Sequence, residues 1–196
     1  MQRAHSFFSP LKGKTVTFLV DDRRTNLLLA RTITLLSSAA GRRLAVFDID
    51  AFYSTNSTEI LSALPKDAAQ SIHIYVPKLG WSIETEVARL FSTESDVLLL
   101  ESLNTIYHLF SSSGVSSRSR KLAFSMASLS YLARIGTKPV LLIMYRRERV
   151  VRTERGGSIS NLSDATVAVE INTSGLLMKC KRGNAWPEER FSLRFP

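Results

Sequence analysis

The sequence contains a single cysteine, Cys180, among its 196 residues. One cysteine excludes an internal disulfide and any zinc site built from several thiolates. Cys180 lies between Lys179 and Lys181 in a segment with the composition of a strand, so an ordinary strand position is its expected role.

Long apolar runs are also missing. No run approaches the roughly 20 residues that a helix needs to cross a bilayer. Residues 1–14 contain Arg3 and the pair Phe7 and Phe8, but no apolar stretch of the length found in secretory signals. We therefore expect a cytoplasmic protein with no membrane partner.

Familiar catalytic and metal-binding patterns do not occur. His5, His73 and His108 are far apart and lack the spacing of metal ligands, so structural roles are expected for them. The Gly-x-Ser-x-Gly, His-Glu-x-x-His and paired Cys-x-x-Cys patterns are absent. We predict neither a metal site nor a cofactor.

The composition is that of a folded domain with an excess of positive charge. Apolar residues make up 44% of the chain and charged residues 22%, which is ordinary for a globular protein. The length suits one domain over residues 1–196, with residues 1–14 as a flexible or partner-binding segment. The net charge of +9 favours a polyanionic partner.

Strand and helix patterns alternate along most of the chain. Apolar, β-branched segments predict strands at 15–20, 43–50, 71–76, 96–101 and 139–144. Helical periodicity predicts helices at 25–40, 54–64, 82–92 and 121–135. This alternation predicts an α/β fold whose mainly parallel sheet carries helices on both faces. Runs at 165–171, 175–181 and 190–195 predict an antiparallel extension at the carboxyl terminus.

The turn after the first strand contains no glycine. A phosphate loop wraps backbone N–H groups around phosphates and needs glycine for their close approach. Residues 20–27 instead include Asp21 and Asp22, whose charge repels a triphosphate. The Gly-Lys-Thr tripeptide at 13–15 precedes the strand, at the wrong edge of the sheet, and a plain turn is expected there.

Carboxylates stand at the ends of the second and fourth predicted strands, where the working groups of open α/β sheets gather. Asp48, Asp50 and Glu101 occupy these places. In an NTPase such groups polarise water or hold magnesium. Pairing with Arg23 or Arg24 is the favoured interpretation here, and residual metal binding is the alternative.

A basic segment follows the fifth predicted strand and ends in two glycines. Its candidate DNA-binding residues are Tyr145, Arg146, Arg147, Arg149, Arg152 and Arg155. Guanidinium groups suit phosphate oxygens, and a tyrosine can stack on a base. A serine-rich stretch at 111–119, predicted as a mobile loop, adds Arg118, Arg120 and Lys121 at the same edge. The alternative is a solvated charged loop, since Glu148 and Glu154 offset part of the charge.

The order of these segments over residues 11–196 resembles the core of the RecA superfamily, and archaeal RadA and its paralogues in particular. Residues 23–27 resemble the end of the family's phosphate loop, with Arg24 in the place of the lysine and Thr25 keeping the magnesium-binding hydroxyl. Asp50 matches the catalytic glutamate, and Glu101 matches the aspartate of the Walker B strand. The resemblance thus implies a degenerate nucleotide site.

Two basic segments match the family's DNA-binding loops. Residues 111–120 correspond to the first loop and residues 146–155 to the second, and the Gly-Gly-Ser-Ile sequence at 156–159 resembles the sequence after the second. Residues 177–191 resemble the last hairpin. The family's amino-terminal helical domain and a convincing Phe-x-x-Ala polymerisation motif are not found, which predicts that the chain does not assemble filaments by itself.

The resemblance implies a RecA-like αβα three-layer core and a non-hydrolysing recombinase paralogue. Such a protein binds DNA, expected to be single-stranded, near the nucleoid, and assists homologous recombination and DNA repair. Its implied partners are DNA, a RecA/RadA-type recombinase or paralogue, and further copies of itself. One alternative is a scaffold subunit that packs against a RecA-like partner with little DNA contact. Another is an ATPase with an unconventional phosphate loop made from Arg23, Arg24 and Thr25.

Overall fold

The structure of the chain is a computed structural model that describes residues 6–62, 64–77, 85–86, 89, 92, 94–109, 115–146, 162–172 and 175–182. Its strands are β1 Thr15–Val20, β2 Leu44–Asp48, β3 Ile72–Tyr75, β4 Val97–Glu101, β5 Val140–Tyr145, β6 Ala165–Asn172 and β7 Gly175–Arg182. They form one sheet in the order β3-β2-β4-β5-β1-β6-β7. Neighbouring strands pair in parallel, except for the antiparallel pair β6 and β7. The predicted α/β fold with a mainly parallel sheet is confirmed.

The central strands are apolar throughout because both of their faces are covered, as is usual for parallel strands. Side chains alternate between the two faces along each strand. In β4, Leu99 packs into the cluster on the first face, whereas Leu98 and Leu100 pack into the cluster on the second. The sheet therefore separates two hydrophobic cores.

Helices cover both faces. They are α1 Arg23–Ala39, α2 Phe52–Thr55, α3 Ser57–Leu61, α4 Leu103–Leu109 and α5 Val115–Gly136, with short 3-10 turns at Ser9–Leu11 and Lys66–Ser71. On the first face α1 packs through Leu29 and Ile33, and on the second α5 packs through Leu122, Met126 and Leu129. This gives the predicted three layers. None of the described helices is both long and apolar enough to cross a membrane.

The carboxyl-terminal strands differ in part from the prediction. The pair β6 and β7 is antiparallel, as predicted, but β6 lies parallel to β1, with Val16 opposite Ala165. The physical reason is the long connection over residues 146–164, since a parallel neighbour requires a crossover of a dozen or more residues. The predicted strand at 190–195 lies outside the described residues.

The predicted loop at 111–120 is partly helical. Residues 115–120 form the first turns of α5, which begins six residues before the predicted start at 121. Residues 115–120 are valine, serine and arginine, which are tolerated in helices, and no glycine or proline interrupts this stretch. The loop interpretation is therefore wrong for 115–120, and 111–114 lie outside the described residues.

Other helices also depart from the sequence pattern. The helix predicted at 54–64 is divided into α2 and α3 at Asn56, whose backbone leaves the helical region. The short helix α4 was not predicted, because seven residues are too few to display a clear period. Most of the helix predicted at 82–92 lies outside the described residues.

The amino-terminal segment is not flexible over its described part. Phe7, Phe8 and Leu11 are fully buried in the first core, and the guanidinium group of Arg42 lies 5.1 Å from the ring centroid of Phe8. If these three large apolar side chains faced water, the protein would lose the favourable free energy of burying them. The expectation of a flexible or partner-binding segment is thus wrong for residues 6–14, while residues 1–5 lie outside the described part.

Candidate functional site at the carboxyl edge of the sheet

Four adjacent parallel strands end at one edge of the sheet. β1, β2, β4 and β5 end at Val20, Asp48, Glu101 and Tyr145, and Asp48 lies opposite Glu101 in the register. The structure therefore brings the turn after β1, the predicted carboxylates and the start of the basic segment to one place. We call this place the carboxyl edge.

The turn between β1 and α1 is only two residues long. Asp22 caps α1, and its Oδ1 accepts hydrogen bonds from the Thr25 backbone N–H at 2.7 Å and the Thr25 hydroxyl at 2.9 Å. A capping carboxylate satisfies a free N–H group and complements the positive end of the helix dipole. In this protein, a side-chain carboxylate thus occupies a position that phosphates take at other helix amino termini.

The basic residues of this turn do not contact the carboxylates of the neighbouring strands. The guanidinium group of Arg23 lies 5.4 Å from the ring centroid of Phe52, and Arg24 is exposed. Within the described part of the chain, no ion pair joins Asp48, Asp50 or Glu101 to an arginine. The expected pairing with Arg23 or Arg24 is therefore wrong. Arg23 makes a cation–π contact with Phe52, and Arg24 is exposed to solvent.

The three carboxylates instead lie next to one another. One oxygen from each of Asp48, Asp50 and Glu101 lies within 4.8 Å of those from the other two. Asp48 is buried and holds the start of α2, since it accepts hydrogen bonds from the backbone N–H groups of Tyr53 and Ser54. Asp50 is exposed. We call Asp48, Asp50 and Glu101 the carboxylate cluster.

Glu101 is the most strongly perturbed acid of the cluster. Its pKa is raised to about 10, chiefly by burial and then by the neighbouring Asp50 and Asp48, whereas a hydrogen bond from Asn26 opposes the rise. The Nδ2 atom of Asn26 donates to Glu101 Oε1 at 3.0 Å. A carboxyl group with this pKa keeps its proton at neutral pH, and a hydrogen bond with the Asp50 side chain contributes to the rise.

Two asparagines that the sequence analysis missed fix the position of Tyr145. Asn26 Nδ2 donates to the Tyr145 hydroxyl at 2.8 Å, and the Tyr145 backbone N–H donates to Asn104 Oδ1 at 2.8 Å. Burial raises the pKa of Tyr145 to about 12. The sequence contains one signal for this contact. Asn26 is a polar residue in the leucine-rich first part of a helix, and a buried amide needs a hydrogen-bond partner.

Tyr145 is half-buried, and Arg146 continues the strand beyond it. The backbone N–H of Arg146 donates to the Val20 carbonyl at 2.8 Å, and its Nε lies 3.3 Å from Asp21 Oδ1. The start of the basic segment is thus anchored to the end of β1. Four further predicted DNA-binding residues, Arg147, Arg149, Arg152 and Arg155, lie outside the described residues. Stacking of Tyr145 on a base stays a prediction.

The basic residues of α5 lie towards the same edge. α5 has 22 residues and ends at Gly136, just before β5 begins. At 1.5 Å per residue it is about 33 Å long, whereas a six-residue strand spans about 20 Å. Its first turns therefore extend beyond the carboxyl edge. These turns carry Arg118 and the exposed residues Arg120 and Lys121.

Comparison with known proteins identifies the fold. No protein-family model matches the sequence, and no curated protein matches it. Among solved structures, the crystal structure of the RadB recombinase matches with a TM-score of 0.63 and 14% sequence identity, covering 94% of this chain and 84% of that chain. The chain therefore has a RecA/RadA-like fold, as the resemblance implied.

Proposed function

We propose that the chain is a recombinase paralogue that binds DNA, hydrolyses no nucleotide and assists homologous recombination and DNA repair. The observation that carries this proposal is the Asp22 carboxylate at the start of α1, which accepts from both the backbone and the hydroxyl of Thr25. In a RecA-like fold that helix start is where a phosphate loop holds its nucleotide.

Nucleotide binding at this place meets two physical obstacles. Asp21 and Asp22 bring carboxylates to the site, and a triphosphate beside them adds like charge. The two-residue turn between Val20 and Arg23 also offers no glycine to wrap backbone N–H groups around phosphates. We therefore propose that this protein carries out no ATP chemistry and uses no cofactor.

Cationic side chains at the carboxyl edge support DNA binding. Arg120, Lys121 and Arg146 lie there on two different elements, in a chain of net charge +9. Arginine forks bind phosphate oxygens, and phosphate contacts supply most non-specific affinity for DNA. Single-stranded DNA is the proposed form because Tyr145 lies directly before Arg146, and unpaired bases stack on aromatic rings. A nucleoid-associated location in the cytoplasm would follow from DNA binding.

A titration with fluorescent single-stranded DNA at two salt concentrations, with and without ATP, tests the proposal. We expect binding that weakens as salt rises and that ATP leaves unchanged. Replacing Arg146, Arg147 and Arg149 by alanine should weaken binding to all sequences alike, because the contacts are to phosphates. A matched triple variant with Lys12, Lys14 and Arg134 replaced by alanine removes the same charge elsewhere and should retain more affinity. Equal weakening in both variants would remove the basic segment from the site.

One observation favours the scaffold alternative. Phe124, Tyr131 and Ile135 are each about 60% exposed on α5, and their spacing places them along one side of the helix. Exposed apolar patches of this kind mark protein contacts. In this alternative, the partner is a RecA/RadA-type recombinase or another copy of the chain. Capture of a purified recombinase that Phe124→Asp abolishes, by a protein that does not bind DNA at low salt, would favour the scaffold.

A further inference from the structure

We propose that Asn26 and Asn104 are positioning residues for DNA binding, which hold Tyr145 and Arg146 in the arrangement that binds single-stranded DNA. Tyr145 is the last residue of β5, and Arg146 follows it directly. The inference deepens the proposed function and rests on it. Neither asparagine has to contact DNA, because each acts through Tyr145.

The backbone of Tyr145 lies beyond the paired part of β4 and β5. These strands pair as far as Leu100 and Leu142, and the positive φ of 64° at Ser102 marks the turn that follows β4. Asn104, at the start of α4, accepts from the Tyr145 backbone N–H at 2.8 Å through Oδ1, and its Nδ2 donates to the Tyr145 carbonyl at 3.3 Å. One carboxamide therefore provides the acceptor and the donor that a neighbouring strand would provide.

The side chain of Tyr145 is held at its hydroxyl. Asn26 Nδ2 donates to this hydroxyl at 2.8 Å, and the half-buried ring packs against the first core. These contacts restrict rotation of the side chain while part of the ring stays accessible. A ring whose orientation is fixed before binding loses less conformational entropy when a base stacks on it.

The same contacts determine where the basic segment leaves the sheet. Asn104 holds Tyr145 on the side of β4, whereas the Val20 carbonyl accepts from the Arg146 backbone N–H at 2.8 Å on the side of β1. The backbone is thus held on both sides at consecutive residues. An arginine side chain that starts from a fixed backbone reaches a phosphate at a smaller entropic cost.

The burial of the two amides supports a positioning role. Asn26 is fully buried and Asn104 is 7% exposed. Burial of an amide costs free energy that its hydrogen bonds only partly return, and an apolar side chain would fill either place without this cost. Two buried amides from different helices nevertheless converge on the one tyrosine that precedes the basic segment.

Tyr145→Phe separates positioning from stacking, because it keeps the ring and loses only the hydroxyl that Asn26 holds. We expect the affinity for fluorescent single-stranded DNA to fall by about 2- to 10-fold, as for the loss of one hydrogen bond, and by a similar factor in Asn26→Ala. The double variant should lose no more than the weaker of the two single variants, because both changes remove the same contact. Tyr131→Phe, which removes the hydroxyl of an exposed tyrosine on α5, should bind as tightly as the unmodified chain.

Asn104→Ala tests the contacts with the backbone through the salt dependence of binding. The variant should bind more weakly, and its salt slope should fall by about 0.7 for each phosphate contact that is lost. A chain that is only less stable contains fewer folded molecules, but each of them binds with an unchanged slope. Asn56→Ala is the matched control, since Asn56 Nδ2 also donates to a backbone carbonyl, that of Phe52, and its slope should equal that of the unmodified chain.

Three results would overturn the inference and leave the proposed function intact. They are unchanged affinity in Tyr145→Phe, additive losses in the double variant, and equal salt slopes in Asn104→Ala and Asn56→Ala. Failure of the unmodified chain to bind single-stranded DNA at low salt would overturn the proposed function, and the inference with it. All variants are compared below their melting temperatures, with native helix content checked by circular dichroism.

Discussion

Asp22 is the side chain on which the proposed loss of nucleotide binding depends. Its carboxylate ends the turn after β1, caps α1 and accepts from Thr25 twice. The same residue therefore stabilises the helix and adds negative charge where a phosphate would bind. Stability and loss of nucleotide binding have a common local cause in this proposal.

Replacement of Asp22 by alanine should destabilise the protein. The Asp22→Ala variant loses the cap of α1, which costs about 0.5–2 kcal/mol of unfolding free energy. Urea denaturation followed by circular dichroism measures the loss. Asp22→Asn keeps an oxygen acceptor and should recover most of it, so an equal loss in both variants would argue against the capping role.

Asp164 should make stability depend on pH in the acid range. Burial raises its pKa, but hydrogen bonds from the Thr15 backbone and side chain and from Arg134 outweigh this, so its pKa lies below the ordinary value. A carboxylate whose pKa is lower in the folded state than in the unfolded state stabilises the fold. This contribution is present in full above the unfolded-state pKa of about 4, and it is lost as the pH falls through the folded-state pKa.

The measurement for Asp164 compares the unmodified chain with Asp164→Asn by urea denaturation from pH 7 to pH 3. The stability difference between them should be constant down to about pH 5 and should shrink below about pH 4. A difference that grows in acid would contradict the assignment.

Among the secondary-structure elements, the amino-terminal segment 6–14 behaves as part of the core. Phe8 is fully buried, and Arg42 packs on its ring. Phe8→Ala should therefore cost about 3–5 kcal/mol, as for other buried aromatic side chains. Unfolding by urea provides the measurement. Lys12→Ala, an exposed change four residues further on, should have little effect, and similar values for the two variants would contradict the burial of the segment.

Helix α5 carries basic residues at one end and is attached to the core by its other turns. Arg120→Ala should weaken binding to single-stranded DNA and reduce the salt slope by about 0.7 for each phosphate that the variant no longer neutralises. Fluorescence anisotropy at several salt concentrations measures both quantities. Lys12→Ala removes the same charge near the start of β1, at the opposite edge, and should leave the slope unchanged. A slope that both variants reduce equally would show that net charge, not position, determines binding.

For the whole molecule, ATP should leave the thermal stability unchanged. A ligand present at 100 times its Kd stabilises a protein by about 2.7 kcal/mol, which thermal denaturation readily detects. Because ATP itself binds Mg²⁺, ATP is added at constant free Mg²⁺, with Mg²⁺ alone as the reference. A rise in melting temperature with ATP beyond this reference would favour the ATPase alternative.

Local periodicity determined the general architecture of the whole chain. The apolar strands at 15–20 and 139–144 and the helix around Leu29 and Ile33 were predictable because side-chain period and burial on two faces are properties of short segments. The same reasoning failed at 6–14 and 115–120. Burial of Phe8 and continuation of α5 depend on contacts with distant parts of the chain.

The sequence by itself determined the alternation of strands and helices, the excess of positive charge and the turn without glycine after β1, because each belongs to consecutive residues. Only the tertiary structure decided that Asp48, Asp50 and Glu101 lie together beside Asn26, that Arg23 packs on Phe52, and that β6 joins β1 in parallel. These contacts join residues far apart along the chain, and their free energies depend on which strands become neighbours, which no local pattern specifies.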